Sequence, residues 1–309
     1  MARIPPSVAA VRLAVRRALP ARGLVLVACS GGADSLALAA AARFVGRDVG
    51  LVTVDHGLQE GSAARAAEVA RWAREAGLDP VQVATVSVAG LPGGPEAAAR
   101  TARYEALTSA AVRLGAVAVL LGHTRDDQAE TVLLALARGA GPRGLAGMPA
   151  VKGIFLRPLL DVARADTRKA CAALGLVPWE DPHNADPSFA RSRVRGSALP
   201  ALVDALGPAV VANLARSAAQ IAQDNAALDG LAADVSDMSV GALAALMPAI
   251  RTRALHAWAL RLGAPGGALS HRHVEALDAL VTAWHGQGPV HLPGGIQVAR
   301  AGGALVRVS

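Results

Sequence analysis

The chain has 309 residues, enough for one large domain with a smaller companion, and about half of them are apolar, as in a globular protein. No apolar run reaches the roughly 18–20 residues that a membrane-spanning helix needs, and arginines interrupt the apolar stretch of Met1–Arg22, so membrane and export classes are set aside and a cytoplasmic protein is expected. The formal charge of +7 comes almost wholly from arginine, Lys152 and Lys169 being the only lysines, and it favours polyanionic partners, although an Ala-, Gly- and Arg-rich composition gives the same excess without one.

From Gly23 to about Pro158 short apolar runs alternate with helical stretches. Strands are expected at Leu24–Ala28, Val49–Val54, Val81–Val86, Val117–Leu121 and Ile154–Leu156, and helices at Ser35–Phe44, Ser62–Ala76, Pro95–Leu114 and Asp126–Arg138. Continuous apolar strands that alternate with helices indicate an α/β fold, with a parallel sheet covered on both faces and its site beyond the carboxyl ends of the strands. A helix over Ala165–Leu174 and an irregular segment over Glu180–Ser192 follow. Beyond Pro200 the pattern turns helical, at Pro208–Ala233, Leu243–Leu262 and His271–Trp284, and Pro289–Val308 reads as a small β-meander. These changes set expected domains of 1–207 and 208–309.

The first strand runs into Ser30-Gly31-Gly32-Ala33-Asp34-Ser35, and a helix follows. Two glycines let successive N–H groups turn inward, and a helix N-terminus adds partial positive charge, so the loop suits an anion such as a phosphate. Asp34 would repel that anion without a cation between them, which assigns it to Mg²⁺. The alternative is a plain strand-to-helix turn capped by Asp34 or Ser35. With no lysine after the glycines, the loop is not a Walker A motif. Cys29 and Cys171 stand too far apart in sequence to form a CxxC pair or a zinc-ligand spacing.

This loop resembles the PP-loop of the ATP pyrophosphatase superfamily, whose fold is adenine nucleotide alpha hydrolase-like. The resemblance implies cleavage of ATP between its α and β phosphates, with nucleotide held by Ser30, Gly31, Gly32, Ala33, Asp34 and Ser35. Further segments occur in order: Val54-Asp55-His56-Gly57, Leu121-Gly122-His123-Thr124-Arg125-Asp126-Asp127-Gln128-Ala129-Glu130, Arg138–Met148, Arg157-Pro158-Leu159-Leu160-Asp161 and Glu180–Asp186. Together they resemble the tRNA(Ile)-lysidine synthase family over roughly residues 23–200. The implied reaction adenylates the C2 oxygen of the wobble cytidine in a CAU anticodon with ATP, then joins the ε-amine of L-lysine to C2, releasing AMP and pyrophosphate and changing decoding from AUG to AUA.

Read by themselves, Asp127 and Glu130 lie one helical turn apart with His123 at the helix mouth, where carboxylates bind a cation, orient an ammonium or accept its proton. Acids that complement a helix dipole are the plainer alternative. The resemblance implies catalytic roles for Asp34, His123, Asp127, Glu130 and Arg195, and metal contacts at Asp34 and Asp127. It adds Asp55, His56 and Gly122 to the nucleotide site, although His56 read alone serves equally to satisfy a backbone carbonyl. The expected tRNA set is Arg103, Arg138, Arg143, Asp181, Asn184, Arg191 and Arg193, against the reading of solvated basic faces and a helix C-cap. Thr124 and Ser192 depart from the family, which tends to carry His and Asn there. Residues 208–309 resemble the family's substrate domain less closely, and the chain's length leaves tRNA discrimination to that helical part, with a homodimer as a second source of surface. A tRNA thiolase, an amidotransferase-type synthetase and a non-catalytic tRNA-binding protein are the rival expectations.

Overall fold

The computed structural model describes residues 4–46, 48–55, 57, 61–86, 95–181 and 186–308. It divides into two compact units, Met1–Gln220 and Ile221–Ser309.

The first unit opens with a helix that the sequence reading did not anticipate, α1 (Pro6–Ala18). Val8, Val11 and Val15, at helical spacing, are buried against α2 (Ala33–Val45) and α7 (Arg164–Ala173), while Arg16 and Arg17 stay exposed. Its other helices are α3 (Ser62–Glu75), α4 (Pro95–Leu114), α5 (Arg125–Ala137), the single turn α6 (Pro142–Leu145), α8 (Ala190–Arg193) and α9 (Leu199–Leu206). A π-helical segment, Val194–Ala198, joins the last two.

Six strands form one sheet in the order β3-β2-β1-β4-β6-β5. They are β1 (Val25–Ala28), β2 (Val49–Asp55), β3 (Val81–Thr85), β4 (Ala118–Leu121), β5 (Val151–Lys152) and β6 (Phe155–Leu156). All pairings are parallel except β5 with β6, where Gly153 (φ 57) turns the chain back and adds an antiparallel edge to the strand expected at Ile154–Leu156. Alternation along the strands sends Val25, Val27, Leu51 and Leu120 to a core with α1, α2 and α7. Leu26, Val52, Val119 and Leu121 pack on the other face against Leu107, Ala110 and Ala111 of α4. The chain winds outward from β1 through β2 and β3, then returns to β4 on the other side. That reversal opens a crevice beyond the carboxyl ends of β1 and β4.

The long helix α10 (Val210–Ala233) runs across the division between the units. The second unit contains α11 (Val240–Ala245), α12 (Pro248–Arg261), α13 (His271–Thr282) and an antiparallel sheet of β7 (Val290–Leu292), β8 (Ile296–Ala301) and β9 (Ala304–Val308). The single helix expected over Leu243–Leu262 is broken. Leu246 is extended (ψ 145), and so is Met247 (ψ 140), which precedes Pro248 and is driven from helical angles by it; Pro248 then opens α12. Leu243, Leu255, Leu277, Leu280, Val298 and Leu305 form this unit's own core. The expected β-meander is present, and Gly302 and Gly303, both at positive φ, make its second turn.

Candidate active site

At the crevice, Gly31 adopts φ 84 and its carbonyl accepts the Trp179 N–H, 3.0 Å away. Ser35 wires the loop from below. Its hydroxyl donates to the Gly32 carbonyl (2.9 Å) and accepts the Ser30 N–H (3.2 Å), which fixes the turn before α2 begins at Ala33. The first N–H groups of α2 have no acceptors within the helix and supply the anion-binding end. Gly122 ends β4 against this turn. A β-carbon there would lie 3.1 Å from the Ser35 nitrogen and 3.2 Å from the Asp34 carbonyl carbon and oxygen, so any larger residue would press the loop backbone back by a few tenths of an ångström.

Loop and strands enclose a cleft of about 320 Å³. Val52, Val54, Leu107 and Leu121 line an apolar part, while Ser30, Asp34, Arg103, His123, Asp127, Arg164 and Arg195 contribute polar groups. Trp179 and Glu180 also line it; the Arg65 guanidinium stacks 3.3 Å from the Trp179 ring centroid, and Arg168 pairs with Glu180 at 2.8 Å.

An ion-pair cluster stands behind this wall. Thr124 N-caps α5, and both its N–H and its hydroxyl donate to Asp127 Oδ2 at 2.8 Å, so the residue that departs from the family pattern closes a capping box. Asp127 Oδ1 accepts Arg164 Nη2 at 2.9 Å and Arg195 Nη2 at 3.2 Å. Glu130, fully buried, accepts Arg164 at 3.0 Å, Arg191 Nε at 2.9 Å and Arg195 Nε at 2.8 Å. Stripping one partner from such a buried cluster costs about 3–5 kcal/mol, because the remaining charges lose their compensation. Burial raises the Asp127 pKa, but Arg164, the Thr124 N–H and hydroxyl, and Arg191 outweigh it and hold the carboxyl below its ordinary range.

Two groups in the cleft stay less compensated. Burial pushes Asp34 up to about 6; a hydrogen bond from Thr167 and the more distant Arg164 (3.8 Å) only partly offset it. Burial lowers His123 to about 3; Asp127 opposes this, while Arg103, Arg157 and Arg191 reinforce it, so the imidazole is neutral at physiological pH. Its Nδ1 is buried and has no hydrogen-bond partner among the described residues.

The structure therefore gathers Ser30, Gly32, Ala33, Asp34, Ser35, Gly122, His123, Asp127, Arg103 and Arg195 at one cleft. Glu130 lies behind them, with no surface on the cleft. Asp55 is buried (8% exposed) and accepts the Gly57 N–H at 3.0 Å, away from the cleft wall. Arg191 faces the acid pair, and Arg193 donates to the Pro187 and Ser188 carbonyls at 2.7 and 2.8 Å. Arg138 and Arg143 are exposed on the loop after α5, which Gln128 anchors through the Met148 N–H (2.7 Å) and carbonyl (3.0 Å). Asp181 is half-buried, and His56 and Asn184 lie outside the described residues.

Arg164 is the residue that the sequence reading missed. Its signal was present: an arginine opens α7, where the helix dipole disfavours positive charge, three residues after the Arg157–Asp161 segment. No single described helix is long and apolar enough to cross a membrane.

Comparison with known proteins agrees with this geometry. The PP-loop domain family matches residues 11–202, and the TilS substrate binding domain family matches 238–306. The tRNA(Ile)-lysidine synthase of Salinispora tropica is 65% identical across 100% of this chain and 98% of its own length. That of Streptomyces coelicolor is 53% identical across 97% of this chain and 98% of its own. A U34-tRNA thiolase from Methanococcus maripaludis, solved with its iron–sulfur cluster, superposes with a TM-score of 0.57 at 17% identity, over 70% of this chain and 79% of its own, a likeness of fold alone. With a PP-loop at the switch point of its sheet and full-length relatives at this identity, the chain belongs to the tRNA(Ile)-lysidine synthase family of ATP-dependent tRNA-modifying ligases.

Proposed function

We propose that the chain adenylates the C2 oxygen of the wobble cytidine in a CAU-anticodon isoleucine tRNA and then joins the ε-amine of free L-lysine to that carbon. The observation that carries this reading is the convergence of the Ser30–Ser35 loop, the neutral His123 and the guanidiniums of Arg103, Arg164 and Arg195 on one cleft. The loop and the first turn of α2 hold the pyrophosphate portion of ATP. Val52, Val54, Leu107 and Leu121 take the adenine. Arg164 and Arg195, held by Asp127 and Glu130, face the charge that develops around the α-phosphate of the transferred adenylyl group as pyrophosphate leaves. His123, neutral and lining the cleft, meets the substrate as a hydrogen-bonding group rather than as a cation.

The donor set suits Mg²⁺ at Asp34, a cleft carboxylate whose raised pKa marks missing positive charge. It suits Mg²⁺ less well at Asp127, whose two oxygens already accept four donor groups. A divalent ion at Asp34 would neutralise the triphosphate. Asp127 and Glu130 are arginine-positioning groups in this reading, and the guanidiniums around Asp127 leave that carboxylate little basicity toward an ammonium. Thiolation, the rival chemistry, is disfavoured because burial raises both thiols, Cys171 to about 11.

The test is incorporation of labelled lysine into an unmodified CAU-bearing isoleucine tRNA transcript with ATP and Mg²⁺, beside a methionine tRNA. Label on the wobble cytidine of the first tRNA alone is expected. Release of AMP and pyrophosphate without label would overturn the lysine acceptor while sparing the loop.

A further inference from the structure

α7 forms a back-plate to the phosphate loop. Arg164, Thr167 and Cys171, at helical positions i, i+3 and i+7, all touch it: Arg164 Nε is 3.8 Å from Asp34 Oδ2, the Thr167 hydroxyl donates to Asp34 Oδ1, and Cys171 Sγ lies 3.3 Å from the Ala33 carbonyl. Thr167 is fully buried. Its hydroxyl has one proton and two acceptors, Asp34 Oδ1 and the Arg164 carbonyl at 2.8 Å. The ionised carboxylate is the stronger acceptor, so the proton is directed across the interface between α7 and α2. A threonine whose hydroxyl served only its own helix would have no reason to approach a carboxylate 133 residues away.

We propose that Thr167 is a positioning residue for nucleotide binding: it engages Asp34 Oδ1, fixes the carboxylate, and leaves Oδ2, 3.8 Å from Arg164 Nε, to meet the divalent cation that accompanies ATP. This rests on the reading of Asp34 as the cation-binding carboxylate. The effect acts through Asp34; Thr167 does not line the cleft. Losing a hydrogen bond to a charged group predicts about a tenfold weaker response to Mg²⁺.

The measurement is calorimetric binding of a non-hydrolysable ATP analogue to the full chain over a series of Mg²⁺ concentrations, without tRNA or lysine. In Thr167→Val the Mg²⁺ concentration for half-maximal binding should rise about tenfold, and Thr167→Ser should restore it. Thr167→Ala replaces the valine variant if the added methyl prevents folding. Lysine KM and tRNA affinity should stay at wild-type values. An unchanged Mg²⁺ dependence in the valine or alanine variant would overturn the proposal, as would a serine variant as weak as valine, which marks a packing role. Asp34→Asn is measured alongside. If it abolishes Mg²⁺-dependent binding while Thr167→Val leaves it intact, only the proposal falls; if Asp34→Asn itself binds normally, the cation reading falls with it.

Discussion

Asp34, half-buried, and Glu130, fully buried, are acids of the same unit, yet their surroundings give them opposite electrostatic roles. Glu130 meets three guanidiniums and is a fixed counter-charge. Asp34 meets one distant arginine and one hydroxyl, so burial dominates and its pKa rises to about 6. A raised carboxyl pKa means that the folded chain binds this proton more tightly than the unfolded chain, where the value is about 3.9. Its protonation therefore stabilises the fold at low pH, and that contribution is lost as pH rises through about 6. Asp34→Asn imitates the neutral form at every pH. Without ligands it should be more stable than the parent at pH 7.5 by an amount on the order of 1–3 kcal/mol, a few degrees in Tm, with the gain vanishing near pH 4. It should also lose turnover. Thermal unfolding of both proteins across this range checks the sign, and an equal gap at all pH values would refute it. Such a gain in stability with loss of activity is expected where a site keeps an uncompensated charge for its ligand.

At the scale of elements, the site is made where termini meet: the carboxyl ends of β1 and β4, and the amino ends of α2, α5 and α7. Gly122 is a tight junction of this kind, with the backbone of Asp34 and Ser35 3.1–3.2 Å from where its β-carbon would stand. Because backbone cannot rotate aside as a side chain can, Gly122→Ala must displace the phosphate loop. Overpacking of this kind costs about 1–3 kcal/mol, so ATP KM should rise roughly 5- to 160-fold while tRNA affinity holds. Steady-state kinetics with ATP varied decides it; an unchanged KM would mean that the loop has room to spare. The π-helical turn at Val194–Ala198 is a second such device, since an extra residue in the turn lies where Arg195 reaches Asp127 and Glu130.

For the whole molecule the excess of positive charge is the governing quantity. The formal +7 and the exposed arginines, Arg138 and Arg143 among them, predict that tRNA association is an electrostatic event. With about five phosphate contacts, affinity for tRNA should fall roughly tenfold for each doubling of salt. ATP affinity, set inside the cleft, should respond far less. Filter binding across a salt series measures the slope, and a flat line would exclude the basic surface as the tRNA-binding face.

Apolar periodicity, two glycines at a strand end and an acid pair one turn apart are local signals, so the α/β alternation, the nucleotide loop and the family are legible in the sequence. The break at Leu246-Met247 follows from Pro248, a local signal as well. Which charges neutralise each other is instead a matter of tertiary packing. Arg164, Arg191 and Arg195 meet Asp127 and Glu130 across 34 to 68 residues of chain. Thr167 finds Asp34 across 133. Sequence spacing carries no record of those distances, since they are set by how helices pack on a sheet, and the same packing removed Glu130 from the cleft and left Asp34 within it.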